Sequence, residues 1–443
     1  MSDKDTTIVA KFGGSSLSNP EQWLKVIKII RSDPARKHIV VSAPGKRNDK
    51  DKKITDLLYE WYRLVQLNLS AVEIQRKIRD RFLKVTVGLN INFDIMNEIN
   101  VISTMLKSGA EADYVASRGE YLSGKIMALA LNYEFIDPAT FIKFNYDGTY
   151  SINEAEVNSI FSNKKTVIPG FYGSLPDGSI KTFTRSGSDI TGAIIAAAIK
   201  AEIYENWTDV SGVSMTDPKI VRDPLIIKEI SYLAMYEMCY GGAGVFHPEA
   251  SIPVRKSNIP TNIRNTNYPE EPGTMIVGSN PTPKGEQPVT GIAGRKNFTL
   301  ITIRKNEMNK QVGFLRKVLS ILEESKINIE HIPSGVDTIT LVVADSEFKG
   351  KHEDILKKIK LACNPDSIEF EKANTALIVV VGQAMLKKPG IASRIFQVLA
   401  KNEINIRLIS QGASEISIVI GVNNADYEKA TFALYKEFRK SRK

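Results

Sequence analysis

The strongest constraint on the fold is an internal repeat in the last third of the chain. Residues 313–335 (G-F-L-R-K-V-L-S-I-L-E-E-S-K-I-N-I-E-H-I-P-S-G) align without a gap with residues 390–412 (G-I-A-S-R-I-F-Q-V-L-A-K-N-E-I-N-I-R-L-I-S-Q-G), at a constant offset of 77. Each copy has the pattern of a strand, a loop, a glycine-started amphipathic helix and a strand, and a further strand follows at 338–343 and at 416–422. The repeat predicts two βαββ units, each continuing into another helix. Two unrelated segments of similar composition are the alternative, but I-N-I stands in register in both copies.

The preceding part of the chain alternates between short strand-like and longer helix-like segments. Apolar runs predict strands at 8–10, 38–42, 167–170 and 203–207, and helical spacing predicts helices at 21–32, 54–83 and 189–201. This alternation predicts an α/β domain with a mostly parallel sheet and helices on both faces. A proline-rich stretch, residues 268–289, predicts a linker and places the main domain boundary near residue 292.

Composition limits the class of protein. A chain of 443 residues predicts roughly two to four domains. The net charge of +9 comes from basic residues that acidic residues interrupt, which indicates a solvated surface and no nucleic-acid partner. No apolar run is long enough to cross a membrane, and the polar M-S-D-K-D-T-T start predicts no export signal.

Cysteine and histidine usage predicts the compartment and the metal content. The two cysteines, Cys239 and Cys363, lie far apart in sequence, which favours a reducing cytoplasm. The four histidines have no zinc-type spacing, so no metal held by the protein itself is expected.

K-F-G-G-S-S, residues 11–16, follows the first predicted strand and is typical of an anion-binding loop. Gly13 and Gly14 let the backbone approach an anion with its N–H groups, Lys11 would add a point charge, and a helix begins just beyond. It is not a Walker A loop, because G-x-x-x-x-G-K-[ST] is absent, and Pro44-Gly45-Lys46 lacks the rest of that pattern. A tight turn after a strand is the alternative explanation of the two glycines.

Two further stretches place charged groups at predicted helix starts. In S-R-G-E-Y-L-S, residues 117–123, Glu120 could bind an ammonium group, or it could only stabilise a helix dipole by about 0.3–1 kcal/mol. In T-F-T-R-S-G-S-D, residues 182–189, Arg185 matches a carboxylate, whereas Asp189 could be a simple helix-start residue. Together these residues suggest a zwitterionic or phosphorylated ligand.

W-T-D-V-S-G-V-S-M-T-D-P-K, residues 207–219, is a polar loop directly after a predicted strand. α/β sheets bind ligands at such positions, and Asp209 or Asp217 could orient Mg²⁺ or a ribose. Turn formation at Asp-Pro is the alternative.

These stretches and the tandem repeat together resemble the aspartate kinase family. The resemblance rests on K-F-G-G-S-S, S-R-G-E, G-F-Y-G-S with R-S-G-S-D, and W-T-D-V-S-G-V-S-M-T-D-P, and it extends over essentially the whole chain. It implies an amino-acid-kinase domain, residues 1–292, followed by two ferredoxin-like α+β ACT domains. These would be residues 293–372, completed by residues 426–443, and residues 373–425. It also implies transfer of the γ-phosphoryl group of ATP, with Mg²⁺, to the side-chain carboxylate of L-aspartate.

The resemblance implies roles for individual residues. Lys11 would hold the transferring phosphoryl group and Asp189 would organise that lysine, and these two are the implied catalytic residues. Aspartate would be bound by Ser42, Thr55, Glu120, Arg185 and Ser188, with Glu120 on its ammonium group and Arg185 on its α-carboxylate. The implied ATP contacts, besides Lys11, are Gly13, Gly14, Ser15, Thr208, Asp209, Ser214, Lys219, Gly244 and Val245.

The sequence departs from the family at two of these positions. Gly244 stands where many members have a lysine in a G-A-K-V-L-H-P-type stretch, and Ser214 stands where some have a tyrosine. Lys219 or Mg²⁺ would then supply the missing charge.

The tandem tail implies regulation by an end-product amino acid at an interface between ACT domains, and self-association as a dimer or tetramer. The implied effector residues are Met308, Gly313, Phe314, Leu315, Glu330, Ser334 and Asp337. The acidic Glu330 and Asp337 favour L-lysine as the effector, with L-threonine as the alternative.

Two other functions remain open on the residues. One is the same fold with another substrate, as in a glutamate 5-kinase or a carbamate kinase-like enzyme, although carbamate has no ammonium group for Glu120. The other is an amino-acid sensor whose kinase domain is inactive. Gly244 favours a sensor, whereas Lys11, Glu120, Arg185 and Asp189 disfavour it.

Overall fold

A computed structural model describes residues 6–184, 186–244, 248–278, 288–348, 350–412 and 414–439. The chain forms two compact units, and the second takes two segments from the middle of the chain. The first unit comprises Met1–Val213, Ile226–Tyr232 and Val245–Pro281, and the second comprises Ser214–Leu225, Leu233–Gly244 and Thr282–Lys443. The boundary predicted at residue 292 therefore does not describe how the units divide.

The elements before residue 279 alternate between strands and helices. The strands are β1 (Ile8–Phe12), β2 (Arg36–Val41), β3 (Glu134–Phe135), β4 (Lys143–Phe144), β5 (Tyr150–Ser151), β6 (Thr166–Pro169), β7 (Tyr172–Ser174), β8 (Ile180–Thr182), β9 (Ile203–Thr208), β10 (Glu229–Ser231), β11 (Thr261–Asn265) and β12 (Thr274–Val277). The helices are α1 (Pro20–Arg31), α2 (Ile54–Gln66), α3 (Val72–Gly88), α4 (Ile95–Lys107), α5 (Ala112–Leu131), α6 (Glu154–Phe161), α7 (Gly187–Ala198), α8 (Tyr232–Tyr240) and α9 (Ile252–Lys256).

The first unit is built on an eight-stranded sheet in the order β10-β12-β11-β9-β1-β2-β6-β3. Strand pairs β11–β9, β9–β1, β1–β2, β2–β6 and β6–β3 are parallel, and β11–β12 is antiparallel. All five residues of β1 are buried, as expected for a central strand covered on both faces. The prediction of a mostly parallel α/β sheet is confirmed. A smaller sheet has the order β5-β4-β7-β8.

Helices α1 to α5 supply most of the main apolar cluster of the first unit. Trp23 of α1, Trp61 of α2 and Phe82 of α3 are almost completely buried there, together with Phe12 of β1 and Trp207 of β9. Helix α7 packs on β1, β2 and β9. The long helical region predicted at 54–83 is two helices, because segment 67–71, in which Asn68 has a left-handed φ of 54°, interrupts it.

The second unit is an antiparallel sheet with helices. Its strands are β13 (Gly291–Arg304), β14 (Thr338–Ala344), β15 (Ser367–Val381), β16 (Leu408–Ser410) and β17 (Ser417–Asn423), in the order β14-β13-β15-β17-β16. Its helices are α10 (Phe314–Glu324), α11 (Asp345–Phe348), α12 (His352–Cys363), α13 (Ile391–Lys401) and α14 (Tyr427–Arg439).

The internal repeat is confirmed in this unit. Helices α10 and α13 begin directly after Gly313 and Gly390, whose φ angles of +81° and +88° lie in the left-handed region that favours glycine. After α13 the chain forms β16 and then β17, whereas after α10, within the described range 288–348, only isolated bridges at His331 and Ser334 precede β14. The strand predicted directly after the first repeat helix is therefore reduced to bridges, and the other elements, including a closing helix α12 or α14, occur in both copies.

The limits predicted for the two copies differ from the structure, because two long strands run through both. Residues 298–304 of β13 pair with β14 and with the start of β15, whereas residues 291–295 pair with the end of β15. The domain limits predicted at residues 293 and 373 therefore lie within these two strands. Residues 427–439 form helix α14, which packs on α13, β13 and β15, so the described part of 426–443 closes the second copy and not the first.

None of the helices in the described ranges is both long and apolar enough to cross a membrane.

Candidate active site

The residues predicted for the site in the first unit lie where neighbouring parallel strands end. Strands β9, β1, β2 and β6 are adjacent and parallel, so their carboxyl ends share one edge of the sheet. Hydrogen bonds continue past these ends, since the N–H groups of Gly13, Ser42 and Gly170 donate to the carbonyl oxygens of Trp207, Phe12 and Val41 at 3.0, 3.1 and 2.9 Å. The loops that follow these four strands therefore lie side by side at this edge and are joined by backbone hydrogen bonds.

Lys11 is held at this edge by two polar partners. Its side chain is buried, and its Nζ lies 2.6 Å from Oδ1 of Asp189 and 3.5 Å from Oδ1 of Asn206. Asn206 Nδ2 donates to the same Asp189 oxygen at 2.8 Å. Because Asp189 lies in the first turn of α7, the helix dipole also favours its negative charge. The result is an oriented ammonium group with a carboxylate and an amide around it.

The glycines after Lys11 serve two different purposes. The N–H of Gly13 is bonded to Trp207, so the expectation that both glycine N–H groups face an anion is wrong for Gly13. A Cβ on Gly14 would lie 2.9 Å from the carbonyl oxygen of Ala43, and Gly45 N–H donates to Gly14 at 2.8 Å. The loops after β1 and β2 therefore touch backbone to backbone. Within the described ranges, the N–H groups of Gly14 and Ser15 donate no hydrogen bond, which leaves them as the loop's donors for an anion.

Glu120 places a buried carboxylate beside the loop that follows β2. It lies in the middle of α5 (Ala112–Leu131), so the prediction of a helix start at this stretch is wrong. It has 6% of its surface exposed and accepts a hydrogen bond from the N–H of Ala43. Helix α5 approaches this closely because Gly119 has no side chain, since a Cβ there would lie 2.7 Å from Ala43 Cβ. Within the described residues, Glu120 Oε2 has no hydrogen-bond partner. Burial raises the pKa of Glu120 to about 8, against the opposing effects of the Ala43 hydrogen bond and the Arg118 charge.

Arg118, the other charged residue of this motif, is packed among aromatic rings. Its guanidinium carbon lies 4.5, 4.3 and 5.4 Å from the ring centres of Tyr114, Tyr121 and Tyr172. Its Nε and NH2 donate to Ser117 Oγ. This buried packing gives Arg118 a structural role in α5.

The remaining predicted aspartate contacts are half-buried or buried at the same edge. Ser188, in the first turn of α7, is buried against Gly170, where a Cβ would lie 2.6 Å from Ser188 Oγ. Ser42 directly follows β2, and Thr55 lies in the first turn of α2. Arg185 lies outside the described residues.

The residues predicted to bind the nucleotide are divided between the units. Thr208 ends β9 and donates through Oγ1 to Oδ1 of the exposed Asp209 at 3.2 Å. Ser214, Lys219 and Gly244 belong to the second unit, and Val245 lies outside the described residues. Asp217 accepts from the N–H of Lys219 at 2.9 Å, which is the turn geometry considered as its alternative role. Gly244 is exposed, and a Cβ there would meet no atom within 4 Å among the described residues.

Two contributors to the site were missed in the sequence. Asn206 could have been recognised, because an amide inside a buried strand needs a polar partner, and its register neighbour in β1 is Lys11. Gly45 was noted only as part of an incomplete Walker pattern, whereas it allows the close contact with Gly14.

Comparison with known proteins identifies the family. Residues 6–265 match the amino acid kinase family, and residues 378–438 match the ACT domain. The chain is 38% identical to Aspartokinase 3 of Bacillus subtilis (strain 168), over 97% of this chain and 98% of that protein. The chain belongs to the aspartokinase family. It is therefore a kinase with ACT regulatory sequence and a nucleotide co-substrate, and its function is that of an aspartate kinase.

Solved structures agree with this assignment. Clostridium acetobutylicum aspartate kinase is 47% identical with a TM-score of 0.89, covering 98% of this chain and 100% of that one. E. coli aspartokinase III, in complex with aspartate and ADP, is 25% identical with a TM-score of 0.77, covering 97% and 99%. Bifunctional aspartokinase/homoserine dehydrogenase 1 of Arabidopsis thaliana is 29% identical over 99% of this chain, which spans only 52% of that relative.

The predicted effector residues of this aspartokinase fall into buried and exposed groups. Met308 and Phe314 are buried in the apolar cluster beneath α10, and Gly313 precedes that helix with its positive φ. Leu315, Ser334 and Asp337 are exposed. Glu330 is already paired, since its Oε2 lies 3.0 Å from NH2 of Arg295. Glu330, which was predicted with Asp337 to favour a cationic effector, therefore already has a basic partner within the protein.

Proposed function

We propose that the enzyme transfers the γ-phosphoryl group of ATP to the side-chain carboxylate of L-aspartate, giving 4-phospho-L-aspartate, the first step of lysine, threonine and methionine biosynthesis. The observation that carries this proposal is the pair of buried ionisable groups, Lys11 and Glu120, near one sheet edge. Lys11 is a cation oriented by Asp189, and Glu120 is a carboxylate with an unbonded oxygen. One suits a phosphoryl group and the other suits an ammonium group.

The chemistry needs positioning and charge neutralisation more than proton transfer. The attacking carboxylate of aspartate is ionised at neutral pH, so no general base is required. Lys11 and the N–H donors of Gly14 and Ser15 would offset the negative charge shared by two anions as they approach. The exposed carboxylate of Asp209 is the kind of oxygen ligand that Mg²⁺ takes, so Mg²⁺ arriving with ATP could contact it.

Aspartate would be oriented at both of its ends. Glu120 Oε2 would accept from the ammonium group, which removes the cost of leaving a buried acceptor unbonded. Arg185 would bind the α-carboxylate, as implied by the family motif. Ser42, Thr55 and Ser188 lie near the loops concerned and would supply hydroxyl groups.

The second unit would contain two ACT units that bind an end-product amino acid and associate with a second chain. The described strands support limits of 298–371 for one ACT unit, and of 291–295 with 375–439 for the other. L-lysine is the preferred effector, because E. coli aspartokinase III has been solved with lysine and aspartate. Its ammonium group would compete with Arg295 for Glu330 or bind the exposed Asp337. L-threonine is the alternative.

A sensor with an inactive kinase domain is the competing function. Gly244 favours it, but the Lys11–Asp189–Asn206 contacts disfavour it, since an unused site has no reason to keep a buried cation so oriented.

The test is ATP-dependent acyl phosphate formation from L-aspartate, trapped as the hydroxamate, with and without millimolar L-lysine or L-threonine. Activity with aspartate and none with L-glutamate or carbamate would support the substrate assignment. Suppression by lysine would support the effector, and suppression by threonine alone would replace it. ATP binding without product from aspartate would refute the proposed reaction.

A further inference from the structure

One side chain joins the helix that carries Glu120 to the strand that precedes Arg185. Asp113 lies in the first turn of α5, and its two carboxylate oxygens contact two neighbouring residues of β8. Thr182 Oγ1 donates to Oδ1 of Asp113 at 2.6 Å, and Nζ of Lys181 lies 2.9 Å from Oδ2. The carboxylate therefore attaches the end of β8 to the start of α5.

The two partners of Asp113 differ in burial. Thr182 has 8% of its surface exposed, whereas the side chain of Lys181 is 41% exposed. An ion pair with an exposed lysine adds little, because water and salt screen it. The hydrogen bond from the Thr182 hydroxyl is charge-assisted and its donor is buried, so it is the stronger of the two contacts. This bond is therefore the polar link that holds α5 on β8.

Four residues connect β8 to α7, and different contacts fix the two ends of this connection. At the α7 end, Asp189 pairs with Lys11, and α7 packs on β1, β2 and β9. At the β8 end, the N–H of Phe183 donates to the carbonyl oxygen of Phe171 at 2.9 Å, and Asp113 attaches the preceding residue to α5. The α7 end is therefore fixed by the central sheet, and the β8 end is fixed to α5 by Asp113.

Asp113 also lies near Glu120 in space, as the environment of Tyr59 shows. Tyr59 belongs to α2, and the pKa of its hydroxyl is raised by partial burial and by the negative charges of Asp113 and Glu120. Seven residues separate the two carboxylates in sequence, which is close to two full turns of α5. Both therefore project from the same side of the helix, towards one phenol group.

We propose that the hydrogen bond between Asp113 and Thr182 fixes the width of the aspartate site, and that Asp113 is a positioning residue for this substrate. Glu120 of α5 would bind the ammonium group, and Arg185, three residues after Thr182, would bind the α-carboxylate. Loss of the bond would let the two ends of the site separate. The elements that would contact ATP, β1 and the loop after it, are not joined by this bond. This inference rests on the proposed function, in which Glu120 and Arg185 are aspartate contacts.

The experiment compares two substitutions that remove the hydrogen bond with two that leave it in place. Asp113→Ala removes the acceptor, and Thr182→Val removes the donor with little change of side-chain shape. Asp113→Asn keeps an oxygen that can accept from Thr182, and Lys181→Met removes only the exposed ion pair. In the full-length protein, the hydroxamate assay gives kcat and the KM for aspartate and for ATP. Titration calorimetry gives the Kd for aspartate.

We expect the KM and the Kd for aspartate to rise about three- to tenfold in Asp113→Ala and in Thr182→Val, because each loses a charge-assisted hydrogen bond. The KM for ATP should stay at the parental value, which a general loosening of the fold would not allow. The double variant should bind aspartate no more weakly than either single variant, since both remove the same bond. Asp113→Asn should restore most of the aspartate affinity, and Lys181→Met should match the parent.

An aspartate KM that stays parental in Asp113→Ala or in Thr182→Val would overturn the proposal. An equal rise in the KM for ATP would also overturn it, as would a loss in Asp113→Asn as large as in Asp113→Ala. If Asp113→Ala does not fold, Thr182→Val alone gives the answer, because its side chain keeps the shape of threonine.

The same measurements separate this inference from the proposed reaction. A parent that binds aspartate without phosphorylating it would refute the reaction, and the Kd values of the variants would still test the role of Asp113. A parent that phosphorylates aspartate, with variants that match it, would refute only the role of Asp113. A parent that binds no aspartate would refute both.

Discussion

Lys11 and Asp189 form an ion pair, with 2.6 Å between Nζ and Oδ1, although one belongs to a central strand and the other to the start of a helix. Asn206 completes the arrangement from the neighbouring strand, in direct register with Lys11. The ammonium group is thereby oriented before any ligand arrives. Pre-orientation of this kind is what makes a charge effective in a transition state, since no reorganisation remains to be done.

Replacement of Lys11 by methionine should lower kcat about 10²–10³-fold, the usual effect of removing one pre-oriented charge or donor from a transition state. The measurement is the hydroxamate assay at saturating ATP and aspartate. Lys28→Met, on the exposed side of α1, is the control and should keep parental activity. A Lys11 variant within tenfold of the parental kcat would contradict the assigned role.

The aspartate KM should depend on pH through Glu120. Burial raises the pKa of Glu120 to about 8, so in the free enzyme this carboxyl is mostly protonated below pH 8. Only the ionised form attracts an ammonium group, and the KM should therefore fall as the pH rises from 6.5 to about 8.5. Glu120→Gln should raise the KM about ten- to a hundredfold, since a charge-assisted hydrogen bond is lost, and should flatten the pH profile. A steep profile in the Gln variant would assign the titration to another group.

The same substitution should stabilise the unliganded protein at high pH. The pKa of Glu120 is raised on folding from 4.5 to about 8, so its contribution to stability is fully present below pH 4.5 and is lost as the pH rises to about 8. Glu120→Gln removes this loss. Its Tm should exceed the parental Tm at pH 8, and the difference should shrink towards pH 5. The idea fails if the difference in Tm is independent of pH.

Local pattern was sufficient to predict the repeat helices and the mostly parallel character of the first sheet, whereas it did not predict pairing over long distances. The glycine-started helices α10 and α13 follow from hydrophobic spacing within 25 residues, and the buried apolar run of β1 predicts a parallel strand. The sharing of β13 and β15 by both copies depends on pairs that range from Arg304 with Ser367 to Gly291 with Val381, far apart in sequence. The constant offset of 77 indicates two copies of the repeat. It does not show where one copy ends, because the boundary lies inside the continuous strands β13 and β15.

The site was predictable where a charge stood beside glycine or at a helix start. Lys11 stands two residues before Gly13, Glu120 stands beside Gly119, and Asp189 lies in the first turn of α7. Asn206 and Gly45 do not meet that description, since their roles depend on register and on the approach of two loops. The ion pair between Glu330 and Arg295 could not be predicted from the sequence either, because it joins two copies of the repeat.

Gly45→Ala should reduce both stability and activity. A Cβ at this position would lie 2.7 Å from the carbonyl carbon and oxygen of Gly14, so two backbone segments would have to separate. We expect the free energy of unfolding to fall by about 1–3 kcal/mol, as at other overpacked sites. We also expect a lower kcat, because Gly14 belongs to the K-F-G-G-S-S stretch that begins with Lys11. Urea unfolding and the hydroxamate assay measure the two effects. Gly244→Ala is the control, because a Cβ there meets no atom of the described residues within 4 Å, and it should change stability by less than about 0.5 kcal/mol. Equal stability of Gly45→Ala and the parent would show that the two loops can separate freely.

Gly244→Lys tests whether the missing family lysine costs ATP affinity. The position is exposed, and among the described residues no atom lies within 4 Å of a Cβ, so folding should be unaffected and the Tm unchanged. The added ammonium group should lower the KM for ATP about two- to fivefold, the range of an exposed charge pair. Gly244→Gln has a similar length without charge and should keep the parental KM. The gain should also disappear in high salt, because exposed charges are screened. If Gly244→Gln lowers the KM for ATP equally, or if the lower KM persists in high salt, the effect comes from packing. A phosphate contact at residue 244 would then be refuted.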